Sequence, residues 1–406
     1  MLCSLMNFVC LGFCSSNKGM YLSAITEALD IPSGLFSIND TFRFTASALV
    51  NLFFGTLIAK VGIRKMTAIG FVANIGAMLC YTFADNIWMF YLGGTLLGIG
   101  LAFTTTSMTS NIVRRWFHKD IGKYTGIVFA SNGIGGALAS QIAGPLIDAS
   151  PFGYRNSYLL VVGIVTVVGI LVVLFLREKP KEEPPVEISA PNKKRGISWY
   201  GLDFADARKK AYFYVAAGVV LCFGICLQGA NSAYMKHLKE VGMSSEFRTM
   251  IQSLFLLLLT GSKLVVGWIY DRFGLKVVML ICPIAAVFAF ALLLLVAGNT
   301  MTAMVLAVMF CLLYALALPL ETLVIPLIVN DLFGSVSYSK MLGIFSAINY
   351  AGYALGSPII NGSCDLTGSY VYAFVVCGVI MALGCVLFPF VLKEAQKIRQ
   401  QVEMMK

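Results

Sequence analysis

Three charged residues stand inside long apolar runs, where a charge is expensive: Lys18, Lys263 and Glu321. Lys18 lies about ten residues, roughly 15 Å of helix, from the end of its run. Lys263 follows Leu256-Leu257-Leu258-Leu259 and precedes Gly267 by one helical turn. Glu321 sits within Leu318-Pro319-Leu320-Glu321-Thr322-Leu323. A charge at a bilayer centre costs about 2.5–3.5 kcal/mol on the insertion scale, so each of these residues needs a partner or a ligand. A lysine there can hold an anion as a point charge. A glutamate can take up a proton or act as the counter-charge of Lys263 or Lys18. The alternative for either lysine is to snorkel or to pair internally. Arg43 follows Asp40 by three positions and reads as a local i,i+3 pair near the outer interface.

Neutral polar residues in the same runs complete a candidate cavity: Asn17, Tyr21, Thr105, Asn132, Gln228, Asn231, Gln252 and Asn349. Any single one of them could equally serve as a helix–helix hydrogen bond. Other chemistries lack their residues. The 11 cysteines fall mostly inside apolar runs, as small core residues do. Cys222 and Cys226, one turn apart, suit packing as well as metal, and no metal site is expected. His118 and His237 fall at opposite ends of the spans, which argues against a histidine relay or zinc site. No nucleophile or metal cluster suggests an enzyme. No phosphate loop follows a strand, so neither ATP nor another cofactor is expected. Gly133-Ile134-Gly135-Gly136 lies inside a run and reads as close helix packing.

The elements that must position these residues follow from composition. Of 406 residues, 58% are hydrophobic and 12% charged, against roughly 25% charged in a soluble domain. This excludes a soluble enzyme, a disordered regulator and a nucleic-acid module. Runs long enough to cross a bilayer lie near 3–28, 35–59, 66–84, 88–113, 122–147, 157–176, 211–235, 247–270, 277–297, 301–329, 338–362 and 370–392. None alternates with period two, so helices are expected and not a β-barrel. The first run has no basic leader or small-residue cleavage site, and it continues past Lys18 to Ala28, so it reads as a span and not a signal peptide.

The cations set the topology. Lys60, Arg64 and Lys65 lie between spans 2 and 3, and Arg114, Arg115, Lys119 and Lys123 between 4 and 5. Nine more crowd residues 177–210, followed by Arg272 and Lys276, Lys340, and the tail cations Lys393, Lys397, Arg399 and Lys406. Only Arg155, Lys236, Lys239 and Arg248 fall on the other side. Both termini are therefore expected in the cytoplasm, and the net charge of +10 requires no nucleic acid. Residues 177–210, with Pro180, Pro184, Pro185 and Pro191, form a linker between a half at 1–176 and a half at 211–392, before a tail at 393–406.

The halves repeat each other. Gly126 to Asp148 lies on Gly343 to Asp365 without a gap, matching Asn132 with Asn349 and Asp148 with Asp365. Gly55–Gly62 lies on Gly267–Gly274. A duplicated six-span unit is a transporter architecture, with its site near the midplane between the halves. Gly267-Trp268-Ile269-Tyr270-Asp271-Arg272-Phe273-Gly274-Leu275-Lys276 resembles the loop signature of the major facilitator superfamily. Its first-half copy keeps Gly55, Gly62, Arg64 and Lys65 but has Ala59 where the family usually has aspartate. Gly144-Pro145 resembles a fragment of the superfamily's Gly-Pro motif. Spans 3, 6, 9 and 12 carry no charge, and the resemblance makes them the outer supports.

Within the superfamily, the position of Lys263 resembles the span-8 arginine of monocarboxylate transporters and oxalate:formate antiporters, which reaches the substrate carboxylate. Ser16-Asn17-Lys18-Gly19, followed by Thr26-Glu27, resembles span 1 of the monocarboxylate transporters, where a lysine serves substrate or proton binding. Their span-8 aspartate is Leu259 here, and Glu321 could replace it. The antiporters' span-11 lysine has no counterpart: Asn349, Tyr350 and Tyr353 are neutral.

The expectation is an all-α membrane protein with twelve transmembrane helices in two six-helix pseudo-repeats. It would be a secondary active transporter of a small organic anion, a mono- or dicarboxylate, with protons or a counter-anion as co-substrate. Lys18 and Lys263 would close on the carboxylate, with Tyr21, Asn17, Asn132, Asn349 and Gln228 around it and Glu321 as proton site or counter-charge. Gly55, Gly62, Arg64, Gly267, Asp271, Arg272 and Gly274 would form the gating motif. A monomer in the plasma (inner) membrane is expected. The alternatives are a proton-driven drug or sugar carrier and a non-transporting membrane sensor.

Overall fold

The computed structural model describes residues 1–16, 21, 24–25, 28–31, 33–117, 121–150, 152–176 and 201–404. Apart from an isolated bridge between Gly201 and Gly334, the regular structure among them is helical. Two compact units span Met1–Ser198 and Trp199–Lys406.

The first unit holds α1 (Leu2–Phe13, π-helical from Asn7), α2 (Ser33–Val61), α3 (Ile63–Thr82), α4 (Ile87–Trp116), α5 (Ile121–Asp148) and α6 (Gly153–Phe175). The second holds α7 (Ala211–Glu240), α8 (Ser245–Phe273), α9 (Leu275–Leu295), a segmented α10 (Met301–Ala317, Pro319–Thr322, Val324–Phe333), α11 (Tyr338–Thr367) and α12 (Val371–Met404). They occupy the twelve runs read from the sequence. Among the described residues, 9 helices are long and apolar enough to cross a membrane. α5 and α11 are long enough, at 28 and 30 residues, but rich in glycine, serine and asparagine. The described helix of α1 ends at Phe13, followed by a turn over Cys14–Ser16.

The small residues of α5 and α11 explain their composition. In the first unit, Gly12 of α1 meets the backbone of Gly135 and Gly136, and Gly135 meets the carbonyl of Phe8. In the second, Gly224 and Gly229 of α7 lie against Gly352 and Gly356 of α11. A side chain at these points would collide with backbone, so glycine sets how closely the helices approach. Gly135 and Gly352 are matched by the sequence repeat and have the same packing role. The last glycine of each loop motif is also equivalent: Gly62 has φ 84° and Gly274 φ 81°. Each ends one helix and starts the next in a conformation that suits glycine.

Both α4 and α10 break in mid-course. α4 is interrupted at Thr105 (φ −118°, ψ −126°). There the hydroxyls of Thr104 and Thr105 donate back to the carbonyls of Gly100 and Leu101, at 2.8 and 2.6 Å, a pattern that bends helices. In α10, Pro319 and Pro326 each lack the N–H that would continue the ladder. The register that lays Asn132 on Asn349 lays Thr105 on Thr322, so the two breaks correspond.

The end of the predicted linker is fastened to the second unit. Leu202 N–H donates to the Phe333 carbonyl at 3.1 Å. Ser337 Oγ donates to Asp203 at 2.7 Å and accepts from Phe204 N–H at 3.2 Å. These bonds, with the amides of Phe204 and Ala205, hold the Asp203 carboxyl below its ordinary value. Residues 177–200 of that linker lie outside the described residues. α12 continues past the predicted limit at 392, so Lys393, Lys397 and Arg399 are helical.

Candidate functional site

In the second unit, Lys263 on α8 and Glu321 in the short middle segment of α10 are 4% and 7% exposed. The lysine is thus buried and not snorkelled, and its ammonium acts electrostatically on the Glu321 carboxylate. Glu321 is there because Pro319 breaks the helix just before it. The Glu321 carbonyl has two side-chain partners on α11. Asn349 donates to it at 3.1 Å and Tyr353 at 3.0 Å. The carboxylate oxygen Oε1 is buried without a hydrogen-bond partner, which leaves an acceptor for a proton or a ligand donor. Tyr314, further up α10, ties that helix to α7 by donating to the Leu227 carbonyl at 2.5 Å. Gln228, the next residue, is half-buried. Lys263, Glu321 and Asn349 are therefore brought together, as their positions in three spans allowed.

In the first unit, Lys18 and Asn17 lie outside the described residues. Tyr21 is buried, donates to or accepts from Ser157 at 2.7 Å, and stacks on Tyr158 of α6 at 4.2 Å between ring centroids. Asn132 is half-buried on α5. The Asp40–Arg43 pair forms, at 3.2 Å. Arg43 also donates to Ser15 at 2.8 Å.

The motif residues sit at helix ends. Arg64 Nε donates to the Val173 carbonyl at 2.6 Å, supplying a donor to the last turn of α6. Arg272 lies over the rings of Trp268 and Phe273, at 5.4 and 5.7 Å. Beside Asp271, Tyr270 donates to Asp331 of α10 at 2.7 Å, and Asn330 donates to the same oxygen. Gly55 and Gly267 lie within α2 and α8, one to two turns before the ends.

Sequence reasoning missed the roles of Tyr353, Asp331, Ser157 and Tyr158. Tyr353 was within reach, since it follows Asn349 by one turn and shares its face. The bond between Tyr21 and Ser157 spans 136 positions and leaves no local signal.

The sequence model of the Major Facilitator Superfamily matches residues 4–326 and 233–403. The MFS-type transporter YcxA of Bacillus subtilis is 24% identical over 387 residues, 93% of this chain and 91% of that protein. Monocarboxylate transporter 12 of Homo sapiens is 24% identical over 391 residues, 90% of this chain and 74% of that protein. Among solved structures, the proton:xylose symporter XylE superposes with a TM-score of 0.74 at 12% identity, covering 98% of both chains. With helices in all twelve apolar runs among its described residues, a repeated loop motif and a family match across nearly its whole length, this multi-pass membrane chain belongs to the Major Facilitator Superfamily of secondary transporters.

Proposed function

We propose that the protein carries a small organic anion, a mono- or dicarboxylate, by alternating access of its two six-helix halves. The observation that carries this reading is Lys263, a buried ammonium whose neighbour Glu321 has an unbonded carboxylate oxygen. An incoming carboxylate competes with Glu321 for Lys263. Glu321 then takes up a proton or remains as counter-charge, so loading exchanges one pairing for another. Lys18 and Asn17 contribute from the first run, with Tyr21, Asn132, Gln228 and Asn349 as further polar contacts. The two glycine-bounded loops, with Arg64, Asp271 and Arg272, act as gates. Similarity to a protein named as a monocarboxylate transporter supports the substrate class. We place the monomer in the plasma (inner) membrane with both termini in the cytoplasm, on the distribution of cations.

The test is uptake of lactate, formate, oxalate and a sugar into proteoliposomes, with and without a pH gradient. Anion uptake that disappears in Lys263→Ala is expected. Full anion uptake by that variant refutes the reading. A second reading, a proton-driven carrier of drugs or sugars, uses the open Oε1 of Glu321 as its coupling acid. Proton-coupled movement of neutral or cationic solutes alone would select it.

A further inference from the structure

The first unit contains a polar cavity around Arg43, which includes Tyr21 of the proposed anion site. Its walls include Phe13 of α1, Asn39, Asp40 and Arg43 of α2, Tyr81 of α3 and Tyr158 of α6. Asn39 and Tyr81 exchange hydrogen bonds at 3.1 and 3.2 Å, which fixes one wall. Arg43 is the cation of the cavity. Its side chain is 12% exposed and is anchored by Ser15 and by the ring of Phe44, 4.4 Å from the guanidinium carbon. Its Nε–H is buried without an acceptor. Asp40 meets it through Nη2 at 3.2 Å, and the Asp40 side chain is 38% exposed. The guanidinium can bind a carboxylate through two parallel bonds, so this single contact leaves part of that capacity unused.

We propose that the Asp40–Arg43 pair is a proton-gated subsite for the carboxylate of a small monocarboxylic acid. The proton goes to Asp40, which then swings toward its exposed side. The substrate carboxylate takes its place on Arg43, bonding Nη2 and Nε. The unfilled space is about that of one water molecule. This favours exchange of one carboxylate for another over simple addition, and it favours a short acid such as formate or lactate. Among the described residues that line the cavity with Asp40, the titratable ones are Arg43 on its own helix, Cys14 and Tyr21 on the α1 side, Tyr81 on α3 and Tyr158 on α6, while α4 presents Leu97. Thiols and phenols ordinarily titrate near 8.5 and 10, so among these described groups Asp40 is the carboxyl that can take up a proton as the ligand binds. The proposal rests on the organic-anion reading and adds to it a second binding point and a route for proton coupling.

The test is ligand-induced thermal stabilisation of the purified full-length protein by formate, lactate and benzoate at pH 5 and 7.5. Wild type should bind formate and lactate more tightly at the lower pH, by up to about tenfold per pH unit, and benzoate weakly. Asp40→Asn should lose most of that pH dependence, keeping only what Glu321 supplies. Arg43→Gln should lose the acid-dependent part, and Arg43→Lys should retain a weakened part. Melting without ligand checks that each variant folds; should Arg43→Gln fail that check, Asp40→Asn and Arg43→Lys decide. The proposal is overturned by an unchanged pH profile in Asp40→Asn, by wild-type acid-dependent binding in either Arg43 variant, or by no stabilisation of wild type at either pH. Loss of anion uptake in Lys263→Ala together with unaltered Arg43 variants would overturn this subsite and leave the organic-anion function standing.

Discussion

Replacing Lys263 by methionine removes a buried ammonium and keeps most of its volume. Glu321, 7% exposed, is then left without its counter-charge. Breaking a buried pair from one side typically costs about 3–5 kcal/mol. The variant can escape by protonating Glu321 on folding. Neutralising a carboxylate with an ordinary value near 4.3 costs about 1.4 kcal/mol per pH unit above it, hence about 4 kcal/mol at pH 7.4 and about 2 at pH 5.5. The folded variant would then hold a proton that its unfolded chain lacks. Its stability relative to wild type therefore falls as pH rises between those values. Glu321→Gln should be destabilised for the converse reason. The double variant should be more stable than the sum of the two by about 2–4 kcal/mol. Unfolding by sodium dodecyl sulfate in mixed micelles at both pH values measures all four proteins. Additivity within about 0.5 kcal/mol, or a Lys263→Met cost that ignores pH, would refute the pairing.

Other outcomes follow from single contacts. Gly274→Ala forces a Cβ onto a residue at φ 81° and should destabilise by about 1 kcal/mol or more in the same unfolding assay, with Gly62→Ala matching it. Gly352→Ala places a Cβ against the Leu221 carbonyl and Gly224, and should cost about 1–3 kcal/mol by overpacking α7 on α11. Tyr353→Phe removes one of two donors to the Glu321 carbonyl and should cost about 0.5–1.5 kcal/mol, read by thermal unfolding. Asp203→Asn should speed hydrogen exchange at the Leu202 amide. Because the Asp203 value is lowered in the folded protein, its contribution is present at neutral pH and lost only as pH falls below the ordinary value of 3.8. The difference from wild type should close in that range.

The helices were legible because a span must be long, apolar and internally bonded, and that requirement is written locally. Most ends fall within a few residues of the limits read from composition. At α1 the described helix ends at Phe13 in a turn, short of the run's limit at 28. At α12 the departure is the other way: the limit falls at Lys393 and Glu394, where charge begins. A helix leaving the membrane can continue in water, and here Lys397 pairs with Glu394 at 2.6 Å along it. The break at Pro319 could be read directly, whereas the break at Thr105 depends on hydroxyls bonding back to their own helix, which many serines and threonines do without breaking anything. Asp40–Arg43 was legible as a pair because both residues are on one helix. The cavity beside it was not, since Phe13, Tyr81 and Tyr158 come from three other helices.

The repeat separates what the two units share from what they do not. Laid in register, the packing glycines agree: Gly62 with Gly274 and Gly135 with Gly352. The charges do not. Lys263 falls opposite Asn51, which is buried and hydrogen-bonded to Ser107. Glu321 falls opposite Thr104, Arg43 opposite Phe255, and Asp271 opposite Ala59. The duplicated scaffold therefore does not carry duplicated chemistry. The two sets of charges also differ in mechanical effect. Asp40 and Arg43 lie on one helix, so exchanging their partner changes side-chain positions without altering a tie between helices. Lys263 and Glu321 lie on α8 and on a segment of α10 bounded by breaks, held from α11 through the Glu321 carbonyl. Neutralising either charge there weakens the attraction between two helices, one of which is already segmented at that point. A site meant to convert occupancy into helix movement needs that arrangement. A site that only reads pH needs no more than the first.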